Sequence, residues 1–401
     1  MSSGTTTIRP AALAGLRVID FGQGVSAPHC ARLFADYGAD VIKVEPPAGD
    51  AARASGPYPD DVPDRERSGL FFFHNTNKRG VTCNVGHPEG RRLFLELIGK
   101  ADVLVENSLP ARMRQWQLDY PTLAALNPRL VMISITPFGQ TGPYSDWNGY
   151  DLNAYHLSGA SARYCGRPRE MPLEHGTFSA DYFGSVTAAA WGLAAVFGRD
   201  AVGGGQQVDV SCAEAIAAAF VGGQNIGGLA QDGRSDSRTG VGMPLGAPAT
   251  ILPCKDGHVW MLALEPGQWK GLCKVMGDPE WARLDMFDDM YTRAQNADLI
   301  YELMRDWLMA HGKMEIMEMC QAAGCPVTAV FTVEEAGHFV DIDHPALGRV
   351  RSLGAPFKLP ASPGGPHSPA PLLGQHNQDI YGGLLGLPAA EITRLQALGA
   401  L

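Results

Sequence analysis

The chain has 401 residues, of which 45% are hydrophobic and 18% charged, and its formal net charge at pH 7 is -10. This balance is typical of a well-packed globular enzyme and excludes a disordered or fibrous chain. The acidic charge and the lack of a lysine- or arginine-rich block argue against nucleic acid and anionic membranes as partners. A small-molecule substrate is therefore expected.

The eight cysteines are scattered, with no C-x-x-C pair and no histidine cluster at the spacing of metal ligands. We interpret them as reduced core thiols and expect neither disulfides nor a metal site. The first fourteen residues have no apolar signal segment, and the longest apolar stretch, 188–197, is shorter than a bilayer span. We expect a soluble, cytoplasmic protein.

From Leu16 onward, strand and helix patterns alternate with short connections, which is typical of a parallel sheet wrapped by helices. This half of the chain is therefore predicted to be Rossmann-like α/β. The predicted strands are 16–21, 39–45, 81–85, 102–106 and 130–136, and the predicted helices are 28–37, 89–100 and 121–127.

Gly22, Gly24 and Ala27 follow the first predicted strand with the G-x-G-x-x-A spacing of a dinucleotide-binding turn. Glu45 lies near the end of the second strand, where such sites place the acid that binds ribose. Glycine is common in any strand-to-helix turn, so this motif alone leaves NAD binding open as one alternative.

Residues 198–257 are rich in glycine and irregular, as in a long connection between domains. The proline- and glycine-rich stretch 355–366 suits an extended segment, and the helical tail 374–401 needs a partner surface. A second domain is predicted between them. Its predicted strands are 251–253 and 259–264, and its predicted helices are 268–276, 294–310 and 313–323.

Asp181 comes just before an apolar segment of small residues, 185–198, which is too apolar for a surface helix. An aspartate in that place either caps the helix through the orphan N–H groups of the first turn or holds a charge at the edge of a buried site. The local sequence leaves both interpretations open.

Nine segments resemble those of the class III CoA-transferase family, also called the formyl-CoA transferase or carnitine CoA-transferase family. Each is weak alone, but their order and spacing together are specific. They are residues 13–20, 27–28, 34–46, 75–80, 101–107, 138–143, 181–184, 205–210 and 371–377. Given this resemblance, the glycine motif after the first strand becomes part of a CoA site instead of an NAD site.

The resemblance implies a Rossmann-like large domain built from both chain ends, a smaller α+β domain, and two subunits threaded through each other as interlocked rings. We accordingly predict the first part of the large domain at 1–205 and a linker at 206–240. The small domain is predicted at 241–335, and the return linker with the rest of the large domain at 336–401. A homodimer is expected, or a heteromer with a paralogous chain.

In this family the aspartate that matches Asp181 is the nucleophile. Its carboxylate attacks an acyl-CoA thioester and forms an acyl-aspartyl anhydride, which becomes an aspartyl-CoA thioester from which an incoming carboxylic acid collects the CoA. The resemblance therefore implies a CoA thioester as substrate and no permanently bound cofactor. Water competes with the acid, so such a site must close.

The resemblance also assigns CoA-contacting roles. They fall to Gln23, Val25 and Ser26 in the turn, Lys78 and Arg79, Asn107 and Ser108, Arg112 or Arg114 as phosphate ligands, and Tyr150 with Asp151. Where the family has a basic residue after the acid matching Glu45, this chain has Pro46, which removes one phosphate contact. Gly240 and Gly242 occupy the place of the glycine loop that covers the intermediates in formyl-CoA transferase.

Three further functions are compatible with the sequence beside CoA transfer. The first is that of the α-methylacyl-CoA racemases, which share this fold and use a histidine where this chain has Tyr150. A phenol with a pKa near 10 is a poor proton shuttle, and His156 and His175 are the nearby substitutes for that histidine. The second is a non-catalytic subunit of a heteromer, and the third is an NAD-dependent oxidoreductase.

Aromatic residues are frequent near these motifs, which favours a bulky or aromatic acid as the acceptor. They are Phe71, Phe72, Phe73, Tyr150, Tyr155, Tyr182, Phe183 and Trp191.

Overall fold

The computed structural model describes residues 11–221, 225–234, 237–240 and 246–401 of the chain. They form two compact units. The first unit extends to Ala160 and also contains Glu174–Arg234 and His338–Leu401, and the second contains Ser161–Leu173 and the described part of Ser235–Gly337. The first unit therefore combines early and late parts of the chain, and each unit has its own core.

The first unit is built on six parallel strands in the order β3-β2-β1-β4-β5-β6. Every residue of β4 and β5 is buried, as expected for parallel strands whose two faces are both covered. The α/β architecture predicted from the sequence is confirmed. The strands are β1 (Arg17–Asp20), β2 (Asp40–Glu45), β3 (Arg79–Thr82), β4 (Val103–Glu106), β5 (Val131–Thr136) and β6 (Gln207–Ser211).

The helices are numbered along the whole chain. They are α1 (Ser26–Asp36), α2 (Gly69–Asn75), α3 (Pro88–Ile98), α4 (Pro110–Trp116), α5 (Tyr120–Leu126), α6 (Asp151–Leu157), α7 (Ala160–Arg163), α8 (Ser179–Val202), α9 (Cys212–Ile216), α10 (Asn225–Asp232), α11 (Pro266–Val275), α12 (Met290–Gln295), α13 (Ala297–Ala310), α14 (Lys313–Ala322) and α15 (Ala389–Ala397).

The second unit contains a three-stranded antiparallel sheet of β7 (Ala249–Cys254), β8 (Gly257–Leu262) and β9 (Val327–Ala329). Apolar residues of these strands and of helices α11, α13 and α14 form one core. A separate antiparallel hairpin, β10 (Phe339–His344) and β11 (Gly348–Leu353), belongs to the first unit.

Helix α8 packs against its neighbours through a stripe of small residues at helical spacing, Gly184, Ala188, Gly192 and Ala195, all of them buried. A Cβ atom at Gly192 would lie 2.2 Å from Cδ1 of Ile133, and one at Gly184 would lie 2.6 Å from a cysteine sulfur on α9. The helix approaches β5 and α9 so closely that larger side chains do not fit. This approach explains why the segment after Asp181 is rich in glycine and alanine.

The C-terminal segment returns to the sheet through side-chain bonds to β3. The side chain of Asn377 accepts from the Thr82 N–H at 2.9 Å and donates to the Thr82 hydroxyl at 2.8 Å. The Nδ1 atom of His376 accepts from the Gly80 N–H at 3.0 Å. The motif at 371–377 thus anchors the chain end, and the apolar residues that follow complete the core of the first unit.

The structure divides the chain differently from the predicted boundaries in two places. The segment 206–240, predicted as a linker, begins with β6 and α9 in the first unit, and residues 161–173 belong to the second unit. The glycines before β6 serve a close turn instead of a flexible connection. Gly203 has φ +80°, and a Cβ at Gly205 would lie 1.9 Å from the carbonyl oxygen of Leu130.

All eight cysteines lie in the described part of the chain, and six of them are buried. Among the described residues, no three histidine, cysteine or carboxylate side chains come together in an arrangement that could hold a metal ion. No helix in this part of the chain is both long and apolar enough to span a bilayer.

Gly90→Ala in the first turn of α3 is expected to destabilise the protein, although alanine normally favours a helix over glycine by about 1 kcal/mol. A Cβ at Gly90 would lie 2.1 Å from the carbonyl oxygen of Asn84 and 2.9 Å from that of Ala400. Because both neighbours are backbone atoms, the chain must shift, at a cost of about 1–3 kcal/mol. Urea unfolding measures the difference.

The matched control is Gly267→Ala in the first turn of α11, where an added Cβ meets no atom within 4 Å. This variant should be neutral or more stable than the wild type. Equal midpoints of unfolding for the two variants would contradict the close approach at Gly90.

Candidate active site

The turn after β1 lies at the carboxyl edge of the sheet, where the strand order reverses between β1 and β4. Open α/β sheets bind ligands in the crevice that such a reversal leaves. Asn107, which follows β4, reaches across to Gln23 in the turn. Its Oδ1 accepts from the Gln23 N–H at 2.9 Å, and its Nδ2 donates to the Gln23 carbonyl at 2.7 Å. These two predicted site residues therefore meet at the crevice.

The backbone N–H groups of this turn all donate to side chains of the protein itself. The N–H groups of Gly22, Gln23 and Gly24 donate to Oδ1 of Asp20 at 3.0 Å, of Asn107 at 2.9 Å and of Asp50 at 2.9 Å. A dinucleotide-binding turn offers such groups to a pyrophosphate, whereas here two of the three acceptors are carboxylates. The geometry argues against NAD binding.

The three turn residues predicted to contact CoA differ in exposure. The side chain of Gln23 is exposed, whereas those of Val25 and Ser26 are buried at the start of α1. The Ser26 hydroxyl accepts from Nδ2 of Asn107 at 3.0 Å. Of these three side chains, Gln23 is the one that the turn presents at the crevice.

Lys78, which was predicted to contact CoA, is held inside the protein. Its buried Nζ donates to Oδ2 of Asp20 at 2.7 Å, to the Pro28 carbonyl at 2.7 Å and to Oδ1 of Asn75 at 2.9 Å. These bonds use all three ammonium protons. Burial, opposed by the charge of Asp20, lowers the pKa of Lys78 to about 8. No proton of this ammonium is left for a phosphate in this arrangement.

Arg79 is likewise engaged, since its guanidinium pairs with Asp40 at the start of β2 over 2.5 Å. On α4, Arg114 donates to both carboxylate oxygens of Asp146, at 2.9 and 2.8 Å. Arg112 is exposed and lies 5.8 Å from the centre of the Trp116 ring, and no described carboxylate pairs with it. Of the predicted phosphate ligands, Arg112 keeps an available guanidinium.

Ser108 follows a buried acid that the sequence analysis did not single out. The Ser108 N–H donates to Oε2 of Glu106 at 2.8 Å. Burial raises the pKa of Glu106 to about 7, against the effect of hydrogen bonds from Ser134 and Ser108. Glu106 ends β4, whose residues are all buried, so its place on a continuous apolar strand is the signal that could have identified it.

Asp181 lies in the first turn of α8, and the capping role falls to another residue. Oδ1 of Asp151 accepts the N–H of Asp181 at 2.9 Å, and the N–H of Ala180 acts on the same carboxyl group. Asp151 is the first residue of α6. No described residue donates a hydrogen bond to the carboxylate of Asp181, which is half-buried. The cap of α8 is therefore Asp151, 30 positions earlier in the chain, and the carboxylate of Asp181 does not serve as the cap.

The electrostatics at this helix terminus favour the protonated form of Asp181. Burial first, and then the charge of Asp151, raise its pKa to about 7. The pKa of Asp151 is also raised, by burial and by Glu174, while the backbone N–H groups of α8 oppose the shift. Near neutral pH, Asp181 therefore exists in both its ionised and its neutral form.

A cluster of neutral rings lies beside Tyr182, the next residue. Nδ1 of His74 is 2.9 Å from the Leu70 carbonyl, which can only accept, so Nε2 accepts from the Tyr182 hydroxyl at 3.2 Å. The rings of His29 and Tyr182 meet edge to face at 4.9 Å. Burial lowers the pKa of His29 to about 3 and that of His74 well below its usual value. Sequence reasoning missed both histidines, which lie far from Asp181 in the chain.

The aromatic residues predicted near the site do not share one environment. Phe71 and Phe72 belong to a small core cluster, and Tyr155 is fully buried. Phe73, Tyr182 and Phe183 are half-buried, whereas Trp191 is 64% exposed. The structure brings Phe73 and Tyr182 together around His29.

Tyr150 precedes α6 and is 81% exposed, so its ring stands in solvent next to Asp151. His156 and His175, the substitutes considered for a racemase, both contact the ring of Tyr155. Gly240 has φ +82° and lies in the second unit. Gly242 lies outside the described residues.

A parallel sheet with a reversal of strand order, and a half-buried carboxylate at the start of a long helix, define an α/β protein with an acidic candidate site. The model of CoA-transferase family III matches residues 13–377. The chain belongs to this family.

Two relatives and one solved structure agree with this assignment. The chain is 32% identical to a Chloroflexus aurantiacus protein named succinyl-CoA–L-malate CoA-transferase beta subunit, over 98% of both chains. It is 30% identical to a formyl-CoA:oxalate CoA-transferase of Afipia carboxidovorans, over 97% of both. A CaiB/BaiF family protein from Brucella suis is similar in structure, with a TM-score of 0.82 and 28% identity, over 94% of this chain and all of that one.

The family resemblance drawn from the sequence motifs is thus confirmed, and the chain is an enzyme of the CoA-transferase class. Enzymes of this class use CoA thioesters as substrates. This class assignment replaces the NAD-dependent oxidoreductase that the glycine motif had left open.

Proposed function

We propose that this enzyme moves CoA from an acyl-CoA thioester to a carboxylic acid with Asp181 as the nucleophile. One observation carries the proposal: Asp151 caps α8, so the carboxylate of Asp181 has no described structural partner. An unpaired, half-buried carboxylate costs free energy, and such groups persist where they have a chemical role. A screen of acyl-CoA donors against carboxylic acids, with CoA esters detected by mass, tests the function.

Four bond exchanges complete one turnover. A carboxylate oxygen of Asp181 attacks the thioester carbonyl, the C–S bond breaks, and CoA leaves as a thiolate. The thiolate attacks the carbonyl of the aspartyl group and expels the first acid, which leaves an aspartyl-CoA thioester. The acceptor carboxylate then attacks this thioester and releases the thiolate. The thiolate finally attacks the acceptor carbonyl of the new anhydride and frees Asp181.

The pKa of Asp181, about 7, bears on both chemistry and stability. The attacking form is the carboxylate, so the rate should rise as the pH passes through 7. A carboxyl whose pKa is raised in the folded state contributes most to stability below pH 3.8, and this contribution is lost as the pH rises through 7. Ionisation of Asp181, which the attack requires, therefore lowers the free energy of unfolding.

Arg112 is the guanidinium that we assign to a CoA phosphate, since Lys78, Arg79 and Arg114 are paired within the protein. A planar guanidinium suits two phosphate oxygens at once. Calorimetry with CoA and NAD on the Arg112→Ala variant tests the assignment. Unchanged CoA affinity in this variant would contradict it.

The acceptor that we propose is an acid with one carboxylate and an apolar or aromatic body. Burial and Asp151 account for the raised pKa of Asp181, and no described cation opposes them. The neighbouring rings of Tyr182, His29 and His74 are neutral. The buried cations that act on more than one of these rings, Arg32 and Lys78, are already paired with Asp36 and Asp20, so a second carboxylate on the acceptor would lack an available described cation. The donor and acceptor screen decides this point, and faster transfer to a dicarboxylate than to an aromatic acid would contradict it.

We further propose that the enzyme is a homodimer, with the outer face of α8 in the interface. Val186, Trp191 and Phe197 are exposed on this helix, Phe197 to 93%. Apolar side chains this exposed on one helix mark an interaction surface. We assign this face to a second copy of the chain, and a paralogous partner would appear instead as a second band in the purified protein.

Phe197→Glu is expected to convert the dimer into a monomer at micromolar concentration, because the carboxylate would be buried in an apolar contact. Light scattering with size-exclusion chromatography measures the mass. Met309→Glu on α13, which replaces another exposed apolar residue, is the control and should remain dimeric. A dimeric Phe197→Glu variant would assign the interface elsewhere.

A further inference from the structure

Two buried residues hold the turn of Gly22, Gln23 and Gly24 from β2 and the loop that follows it. Nζ of Lys43 donates to the Gly22 carbonyl at 2.5 Å and to Oδ2 of Asp50 at 2.6 Å. Oδ1 of Asp50 accepts the Gly24 N–H at 2.9 Å. The pair therefore holds one carbonyl and one N–H of the turn, at the two glycines that flank Gln23.

The side chains of Lys43 and Asp50 are both fully buried, so this arrangement excludes water. Lys43 and Asp50 have no exposed side-chain area, and the charge of Asp20 lies 3.8 Å from the same ammonium. A buried ion pair gives little net stability over an apolar pair of similar size, because both charges lose their hydration. Because the pair adds little to the free energy of folding, its bonds to the turn indicate a role in fixing the shape of the turn.

The turn needs such support because its glycines allow the backbone many conformations. Gly24 has φ +71°, a conformation that glycine adopts without strain, and a glycine-flanked turn loses much conformational entropy when it is fixed. With all three N–H groups bonded to the protein, the turn keeps one shape without a ligand. A ligand that contacts Gln23 then meets a surface that is already ordered, which favours binding.

We propose that Asp50, together with Lys43, is a positioning residue that fixes the turn and thereby orients Gln23 toward bound CoA. The inference rests on the proposed function and places CoA at the crevice between β1 and β4. Asp50 also accepts the Ala52 N–H at 2.8 Å and so caps a short helical turn, Ala51–Ala54. Asp50→Asn keeps an oxygen for the Ala52 N–H and therefore separates support of the turn from support of that segment.

Two variants of the full chain test the proposal by calorimetry with CoA. In Asp50→Asn the amide cannot accept from both Lys43 and the Gly24 N–H, so one of the two bonds of Asp50 that hold the turn is lost. The double variant Lys43→Met with Asp50→Ala loses the bonds of both residues to the turn. It leaves neither charge of the pair without its partner, and such apolar replacements are commonly tolerated. Each should weaken CoA affinity at least tenfold, while the KM for the acceptor acid stays within twofold of wild type.

Asp36→Asn is the matched control, since Asp36 is a buried carboxylate paired with Arg32 at 3.2 Å and has no contact with the turn. It should lower the melting temperature and leave CoA affinity unchanged. A folded double variant with CoA affinity within twofold of wild type would overturn the proposal, as would an equal loss of affinity in Asp36→Asn. Insoluble Lys43 and Asp50 variants beside a soluble Asp36→Asn would assign the pair to folding alone.

The two proposals fail in different ways. If the wild type binds CoA but transfers it to no acid, the chemistry at Asp181 is refuted, while the effect of Asp50 on CoA affinity still stands. If the wild type does not bind CoA, both are refuted.

Discussion

Asp181→Ala is expected to reduce CoA transfer by about 10³-fold or more while leaving the fold and the affinity for CoA close to wild type. The carboxylate forms bonds only during turnover, and its loss removes the covalent route. The fold should persist because Asp151 caps α8 and no described residue donates to the side chain of Asp181. Transfer is measured by mass detection of CoA esters, folding by circular dichroism and binding by calorimetry.

The isosteric variant Asp181→Asn separates chemistry from stability. It should be as inactive as the alanine variant, yet more stable than wild type at pH 8 by about 1–3 kcal/mol, a range that allows for partial exposure of the carboxylate. Near pH 4, where Asp181 is protonated in the folded protein, the difference should vanish.

The wild type incubated with acyl-CoA and then treated with hydroxylamine should carry a modification at Asp181, detectable by peptide mass. Full activity in Asp181→Ala, with no adduct in the wild type, would show that the chemistry lies elsewhere.

Most of the parallel sheet could be predicted from the sequence because its central strands are continuous apolar runs. The predicted strands 39–45, 102–106 and 130–136 lie within one residue of β2, β4 and β5 at either end. β6 was not predicted. It is short, half polar and preceded by glycines, and only its pairing with β5, more than 70 residues earlier in the chain, makes it a strand.

The candidate site could be predicted only in part, because its decisive contacts join distant positions. Asp181 was identified from its local sequence, but that sequence could not say whether it caps α8. The acceptor that caps the helix is Asp151, on a different element. Lys78 was predicted to contact CoA because it matches the Asn-Lys-Arg motif of the family, and its burial against Asp20 depends on the packing of α1, β1 and β3.

Four aspartates near this edge of the sheet divide into two groups by their partners. Asp20 and Asp50 are each paired with a lysine and bonded to the turn after β1. Asp151 and Asp181 lie together without a described cation, and the pKa of each is raised. The first group fixes the turn at the crevice, and in the proposed function the second supplies the attacking carboxylate.

Asp151 is the residue whose replacement should most affect the reactivity of Asp181 while Asp181 itself is unchanged. Asp151→Ala removes the acceptor for the N–H groups of Ala180 and Asp181, which should cost about 0.5–2 kcal/mol of stability. The first turn of α8 then loses its fixed position, and a displacement of about 1 Å at a nucleophile reduces kcat by about 10²-fold. Urea unfolding and steady-state kinetics measure the two effects.

Asp151→Asn separates the cap from the charge, because its amide oxygen can still accept from α8. Without the negative charge, the pKa of Asp181 should fall toward its usual value, although burial continues to raise it. The pH profile of kcat should then shift to lower pH, and the rate at pH 6 should be a larger fraction of the rate at pH 8 than in the wild type. A profile identical to wild type would show that Asp151 acts on Asp181 through position alone, and full activity in Asp151→Ala would refute both roles.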